Sequence, residues 1–313
     1  MATSIISASH FHNENAAYAF VESRIWPNGP VCPHCACVER ISKMRGKSTR
    51  AGVYKCYDCR RPFTVKVGTI FESSHVPLRL WLQAIFLIAS SKKGISSNQL
   101  HRTLGVTLKT AWFMGHRIRE AMRVSAPAAF GEGGGTVEVD ETFIGQDQVR
   151  KRQGFKKSRG YQHKQKVLSL VDRSSGQARS TVVEDTRMST VVPILKENIA
   201  REAHVITDEA SQYMHLHHGF ASHKSVNHSA GEYVSAKNAH IHTNTIEGYF
   251  SIFKRGMKGV YQHCAHNHLN RYLAEFDFRY SNRVARGFDD SARAEKLLAG
   301  VLGKRLTYQT TAH

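Results

Sequence analysis

Acid is what this sequence is short of. Asp and Glu total 25 against 44 Lys and Arg, a formal charge of +19 with a pI near 9.9. A balance that basic points to a polyanionic partner and argues against an enzyme of small neutral metabolites. Long apolar runs are missing too. The most apolar stretch, residues 78–89, is broken by Arg79 and Gln83 and falls short of the roughly 20 residues that a membrane span takes. The opening MATSIISASHFHNENA has no basic segment ahead of an apolar core, so no secretory leader is expected. No repeat occurs at solenoid periods. Outside residues 32–59 the only cysteine is Cys264, which excludes the scattered disulfide framework of a small secreted domain. The membrane is set aside. The expectation is a nucleic-acid-binding protein of a reducing, cytoplasmic setting, associated with the nucleoid when bound.

What is present is an ordinary globular composition, 41% hydrophobic and 22% charged, which does not suit a disordered chain. Cys32-x2-Cys35 and Cys56-x2-Cys59 form two knuckles separated by 20 residues. Each CxxC turn aims two thiolates at one point, and two such turns complete a tetrahedron around zinc. The intervening length suits a hairpin, so the expected object is a zinc ribbon with residues 40–50 as an exposed loop. Four thiolates close the coordination sphere, so the ion is expected to be structural. His34 and Cys37 have no partner at matching spacing.

Residues 96–122 read as helix, turn, helix. Ser96 or Ser97 caps the first, Gly105 supplies the turn and Thr107 caps the second. The second helix carries Ala111, Trp112, Met114, Ile118 and Met122 inward. Lys109, Thr110, His116 and Arg117 are expected to face outward to a DNA groove. The bland alternative is a helical hairpin that only packs. Residues 125–135, SAPAAFGEGGG, read as a linker.

Beyond the linker the texture is strands alternating with helices. Strands are expected at 136–144, 166–172, 178–184 and 204–207, with helices at 190–200, 243–257 and 269–280. Alternation along the first strand puts Glu138 and Asp140 on one face. A second short strand delivers Asp208 at its end. In the helix from 243, Asn244, Glu247, Ser251, Lys254 and Lys258 sit at offsets of 0, 3, 7, 10 and 14, a polar stripe backed by Ile246, Tyr249, Phe250, Phe253 and Met257. Singly, each acid reads as a turn residue or a solvated face. Jointly, two Asp at strand ends and a Glu on a later helix make the acidic set with which an RNase H-like fold holds two Mg²⁺ ions.

These motifs give the chain a family likeness. The four cysteines, VEVDETFIG at 137–145, TDEASQY at 207–213, HTNTIEGYFSIFKRGMKGVYQH at 242–263 and HLNRYLAEFDFRYSNR at 268–283 resemble bacterial insertion-sequence transposases of the ISXO2-like type, which join an N-terminal zinc ribbon to a DDE catalytic domain. The likeness runs from about residue 15 to 285. It implies an α+β multidomain protein: ribbon with leading helix at 15–74, helix-turn-helix at 75–124, RNase H-like domain at 134–285 and a C-terminal tail at 286–313. It implies Asp140, Asp208 and Glu247 as the acidic triad, with Asn244 on the same helix face as the alternative third member and Lys254 as the basic residue that places phosphate. Gln146 stands where the pattern has a second Gly, in a loop.

The implied activity is metal-dependent cleavage and strand transfer of double-stranded DNA at terminal inverted repeats. Two Mg²⁺ ions about 3.5–4 Å apart would serve it, with Asp140 bridging them, and a homo-oligomer would act on the DNA. The basic run Arg150, Lys151, Arg152, Lys156, Lys157, Arg159, Lys164 and Lys166 would clamp the DNA backbone beside that site, and His263 would approach the scissile phosphate. Two rivals remain from the residues alone. One is a non-catalytic DNA-binding regulator or transposase remnant, which has no reason to keep three placed acids. The other is a nuclease that cuts without joining.

Overall fold

The computed structural model describes residues 4–146, 161–228, 234–235 and 238–307. The chain divides into two compact units. One comprises residues 1–123 and 288–313, the other residues 124–287. Among the described residues no helix is long and apolar enough to cross a membrane.

The first unit opens with α1 (Glu14–Ile25), whose N-terminus is capped by the Asn13 side chain accepting from Ala16 N–H at 3.0 Å. Three short antiparallel strands follow, β1 (Ile41–Lys43), β2 (Tyr54–Cys56) and β3 (Pro62–Phe63), in that order across the sheet. The segment expected to be loop from residue 40 thus begins as a strand, with Ile41 opposite Cys56. Helix α2 (Leu78–Ser90) is apolar enough to be buried on most sides, through Leu78, Trp81, Leu82, Ile85 and Ile88. Pro77 leaves its first N–H groups without a side-chain cap. The Glu14 carboxylate serves instead, accepting from Leu78 N–H at 2.7 Å and Arg79 N–H at 3.1 Å.

Helices α3 (Ser97–Leu104) and α4 (Leu108–Met122) form at the expected caps. Ser96 accepts from Gln99 N–H, Thr107 from Thr110 N–H, and Gly105 makes the turn at φ +65°. The C-terminal residues return to this unit as α8 (Asp290–Ala299), where Arg293 donates to Ala89 O at 3.0 Å.

The second unit is a mixed α/β sheet of β4 (Thr136–Ile144), β5 (Gln165–Asp172), β6 (Ala178–Val183), β7 (His204–Asp208) and β8 (Ser222–Val226), ordered β6-β5-β4-β7-β8. The first three pair antiparallel; β7 and β8 add in parallel to β4. Helix α5 (Met188–Asn198) covers one face, where Val137, Val139, Leu168, Leu170 and Val205 meet Val191 and Leu195. Helices α6 (Asn244–Gly256) and α7 (His266–Ser281) cover the other, where Ile144, Val167 and Val171 meet Ile246, Phe253, Leu273 and Phe276. Strand β5 is buried along its whole length because both faces are covered.

The expected linker does not run free. Phe130 is buried among the α5-side core and bridges across to Ile199, its N–H donating to Asn198 O and its carbonyl accepting from Ala200 N–H, each at 2.9 Å. Gly131, at φ +76°, lies so close to Ala203 that a Cβ would come within 2.4 Å of the alanine methyl.

Candidate active site

The alternation that makes β4 a strand sorts its acids. Thr136, Glu138 and Asp140 point to the α6 side, while Val137 and Val139 enter the α5-side core. Strand β7 pairs with β4 in parallel, Glu138 opposite Ile206, which brings Asp208 to the same side. Helix α6 lays its apolar stripe on this face, burying Ile246, Tyr249, Phe250 and Phe253, and keeps Asn244 and Lys254 exposed and Glu247 half-buried.

Glu138 and Asp140 share a face but not a role. Glu138 is fully buried. One carboxylate oxygen receives Arg173 Nε, and the other accepts from Ile246 N–H at 2.9 Å. The Thr243 hydroxyl makes no cap bond to α6. Glu138 caps that helix from the sheet, and the hydroxyl donates to Glu247 Oε1 at 3.2 Å. Asp140 keeps its carboxyl for the site, with one oxygen accepting from Glu141 N–H at 2.7 Å. Burial pushes the Asp140 carboxyl up to about 8, and the nearby charges of Asp208, Glu141 and Glu247 push the same way. Burial also raises Asp208, against the opposing Ala210 N–H bond. Glu141 points to the other face, takes a hydrogen bond from Gln212 at 3.2 Å, and is raised by burial to about 7.

His228 is a neighbour that sequence reasoning missed. Its Nε2 lies 3.6 Å from Glu247 Oε1 and 3.2 Å from Thr243 Oγ1. No periodic pattern marks it.

Among the described residues, the one group of three or more His, Cys, Asp or Glu side chains whose ligand atoms all lie within 4.8 Å of one another is Cys32, Cys35, Cys56 and Cys59. The Cys32–Cys59 and Cys35–Cys56 sulfurs are each 3.6 Å apart. A zinc tetrahedron with bonds of about 2.3 Å has edges of about 3.8 Å, so the quartet fits the ion. Backbone N–H groups of Cys59 and Asp58 bring the Cys56 thiol down to about 7, while, against the pull of the Cys37 N–H, burial and hydrogen bonds with the other three thiols push Cys35 up to about 12. Cys37 and His34 stand outside the quartet. The acidic residues are spread more widely than the cysteines.

Several expected DNA-facing residues are placed otherwise. Arg117 is buried at 5% exposure, and its guanidinium donates to the carbonyls of Ile70 at 2.8 Å, Glu72 at 2.7 Å and Leu306 at 3.0 Å. It is an internal strut of the first unit. His116 is fully buried on the same helix. Lys109 is exposed, and Thr110 is half-buried beside the Thr107 cap. Arg150, Lys151, Arg152, Lys156, Lys157 and Arg159 lie outside the described residues. Lys166 is buried in β5 and unavailable to a DNA backbone. Lys258 is exposed beyond the end of the α-helix at Gly256, in the π turn Met257–Tyr261.

A transposase zinc-ribbon domain matches residues 12–62, and an ISXO2-like transposase domain matches residues 133–281. A Halobacterium salinarum protein described as an uncharacterized protein in transposable element ISH50 is 29% identical over 282 residues, 86% of this chain and 91% of the relative. Residues 133–281 belong to the ISXO2-like transposase domain family and residues 12–62 to the transposase zinc-ribbon family. The chain also aligns with a simian T-cell lymphotropic virus intasome structure in complex with PP2A regulatory subunit B56 gamma. That alignment has 15% identity and a TM-score of 0.28, over 57% of this chain and 63% of that one, under two thirds of its length.

Proposed function

We propose that residues 134–285 form an RNase H-like DDE domain that cuts and joins DNA strands at the terminal inverted repeats of an insertion sequence. The observation that carries this reading is the placement of Asp140 and Asp208 on adjacent parallel strands, on the sheet face that α6 covers with Glu247. Burial pushes the Asp140 carboxyl up to about 8, and the charges of Asp208 and Glu247 push the same way. A cation would relieve that crowding, and an all-oxygen donor set suits Mg²⁺. The sheet order supports the fold assignment, with three antiparallel strands followed by two parallel ones and the acids on the central pair.

Asp140, Asp208 and Glu247 would hold two Mg²⁺ ions, which when bound supply Lewis-acid stabilisation to the phosphoryl group. The protein's own contribution is placement. Backbone N–H groups of Glu141 and Ala210 orient Asp140 and Asp208. Thr243 orients Glu247. Asn244, one turn earlier on α6, is the alternative third residue. Lys254 is exposed seven residues beyond Glu247, where it would position a phosphate. No covalent enzyme–DNA bond is required. The zinc ribbon and the α3–α4 pair would bind the repeat duplex, Lys109 and Thr110 included, with the basic run from Arg150 to Arg159 on the backbone. A homo-oligomer would bring the two ends together.

A strand-transfer assay with the element's own ends, target DNA and Mg²⁺ tests this. Joined products are expected. Cut ends without joined products would favour a nuclease, and bound but uncut DNA a non-catalytic regulator.

A further inference from the structure

The α6-side face of the sheet holds more than the acids. Toward the opposite end of the parallel strands lies an open pocket of about 480 Å³, a volume in the range of small-ligand sites. Its lining includes Arg173, His204, Lys224 and His240 and, among the described residues, no acid. Ile206 and Ile241 give it an apolar part, and Ser174 and Asn238 add polar groups.

The register fixes where this pocket stands relative to the carboxylates. Thr136, His204 and Ser222 form one row across β4, β7 and β8. Glu138, Ile206 and Lys224 form the next, and Asp208 and Val226 belong to the third. Successive rows on one face are about 6.6 Å apart, twice the rise per residue. The pocket therefore begins one row from Asp208 and ends two rows from it. One wall is held from behind. Arg173 is gripped by Glu138 and donates to the carbonyls of His240 and His242 at 2.6 Å each. Lys224 is exposed on the edge strand.

A rim that carries Lys224 and the imidazoles of His204 and His240 over an apolar floor suits a ligand that has both an anion and a flat apolar body. Inorganic phosphate would leave Ile206 and Ile241 unused. We propose that this pocket binds one nucleotide of a DNA strand, with its phosphate on Lys224 and His240 and its base over Ile206 and Ile241. This rests on the reading of the acidic cluster as a DNA-cutting site and adds to it the path of the strand, over β8 and β7 toward the acids on β7 and β4. It also gives a role to His240, which sequence motifs leave unassigned.

The test is photocrosslinking of the full chain to a short oligodeoxynucleotide carrying 4-thiothymidine, with crosslinked peptides identified by mass spectrometry. Crosslinks are expected in the segments 204–206, 222–224 or 238–241. Their yield should fall about tenfold in Lys224→Glu at unchanged melting temperature. In Lys224→Ala the slope of log affinity against log salt should become shallower by about 0.7, the loss of one single-strand phosphate contact. Millimolar dTMP should not displace the oligonucleotide. Crosslinks confined to other segments, or an unchanged yield in Lys224→Glu, overturn the proposal. Displacement by dTMP overturns the assignment to a strand and makes a free nucleotide the ligand. The two readings fail separately: cleaved DNA with no crosslink here sinks the pocket alone, and crosslinks here without cleavage sink the catalytic reading alone.

Discussion

The buried carboxylate of Glu138 accepts the backbone N–H of Ile246 at 2.9 Å, so strand β4 caps the helix that carries Glu247. Two residues along the same strand, Asp140 is left for the site. One strand thus supplies both a fixing point for α6 and the acid proposed for the site, and the cap ties the helix that carries Glu247 to that strand. Arg173 completes the arrangement by balancing the buried charge.

Replacing Glu138 by Ala strips Arg173 of its partner and leaves the Ile246 N–H uncapped. The expected loss is about 3 kcal/mol, at the low end for a broken buried pair because Arg173 is 20% exposed. Glu138→Gln should cost less, since its amide oxygen can still accept from Ile246. Urea denaturation with hydrogen exchange read at β4 and α6 checks both, and equal stability of Glu138→Ala and the parent chain would refute the cap.

Zinc should be present at one ion per chain in protein purified without chelators. Cys56→Ser should release it and unfold the ribbon, while β4 to β8 keep their hydrogen-exchange protection, because the quartet lies wholly in the first unit. Elemental analysis that finds no zinc would contradict the ribbon assignment.

Arg117 and Lys109 should separate cleanly. Arg117→Ala strands the carbonyls of Ile70, Glu72 and Leu306 and should destabilise the first unit by about 1–3 kcal/mol. Lys109→Ala should leave the melting temperature alone and make the salt slope of duplex binding shallower by about 0.9. A Lys109→Ala protein with an unchanged slope would remove the N-terminus of α4 from the DNA interface.

A pH effect on stability should come from Asp277, which accepts from Ser180 N–H at 2.8 Å and the Tyr249 hydroxyl at 2.6 Å. Burial pushes its carboxyl up to about 6, against the pull of those hydrogen bonds. A raised folded-state value means that the fold favours the protonated form. The stabilisation is full below the unfolded value near 4 and is lost as pH rises through about 6. Asp277→Asn should flatten this fall between pH 4 and 6. Denaturation midpoints across that range measure it, and an unaltered pH profile in the variant would assign the effect elsewhere.

The parts of the fold that announced themselves did so through periodicity. The alternation in TVEVDETFI gives β4 its observed bounds, and the apolar back of α6 is buried residue for residue as its spacing requires. Strand β8 escaped notice because SHKSV is a polar edge strand with no alternation to read. Arg117 misled because helical spacing shows which residues share a face, not whether a buried guanidinium finds three carbonyls to hold. Glu138 and Asp140 could not be told apart by spacing, since their difference lies in what α6 and Arg173 bring to one of them. The quartet of cysteines was legible because two CxxC turns carry their geometry locally. The pocket was not, because it gathers residues from β4, the turn after β5, β7, β8 and the loop before α6.

The third acidic position is open between two neighbours on α6. Glu247→Gln keeps the shape and removes the charge, and it should abolish cleavage. Asn244→Ala should weaken cleavage without abolishing it. The reverse pattern would move the role to Asn244.

The central claim is tested most directly by one measurement: Mg²⁺-dependent cleavage of the element's own ends by Asp140→Asn, beside its affinity for the same DNA. The substitution preserves side-chain shape and removes the carboxylate on which the proposed site is built. The expected result is no detectable cleavage at unchanged end-binding, because Lys109, Thr110 and the zinc ribbon lie in the other unit. Near-normal cleavage by Asp140→Asn would contradict the proposed active site.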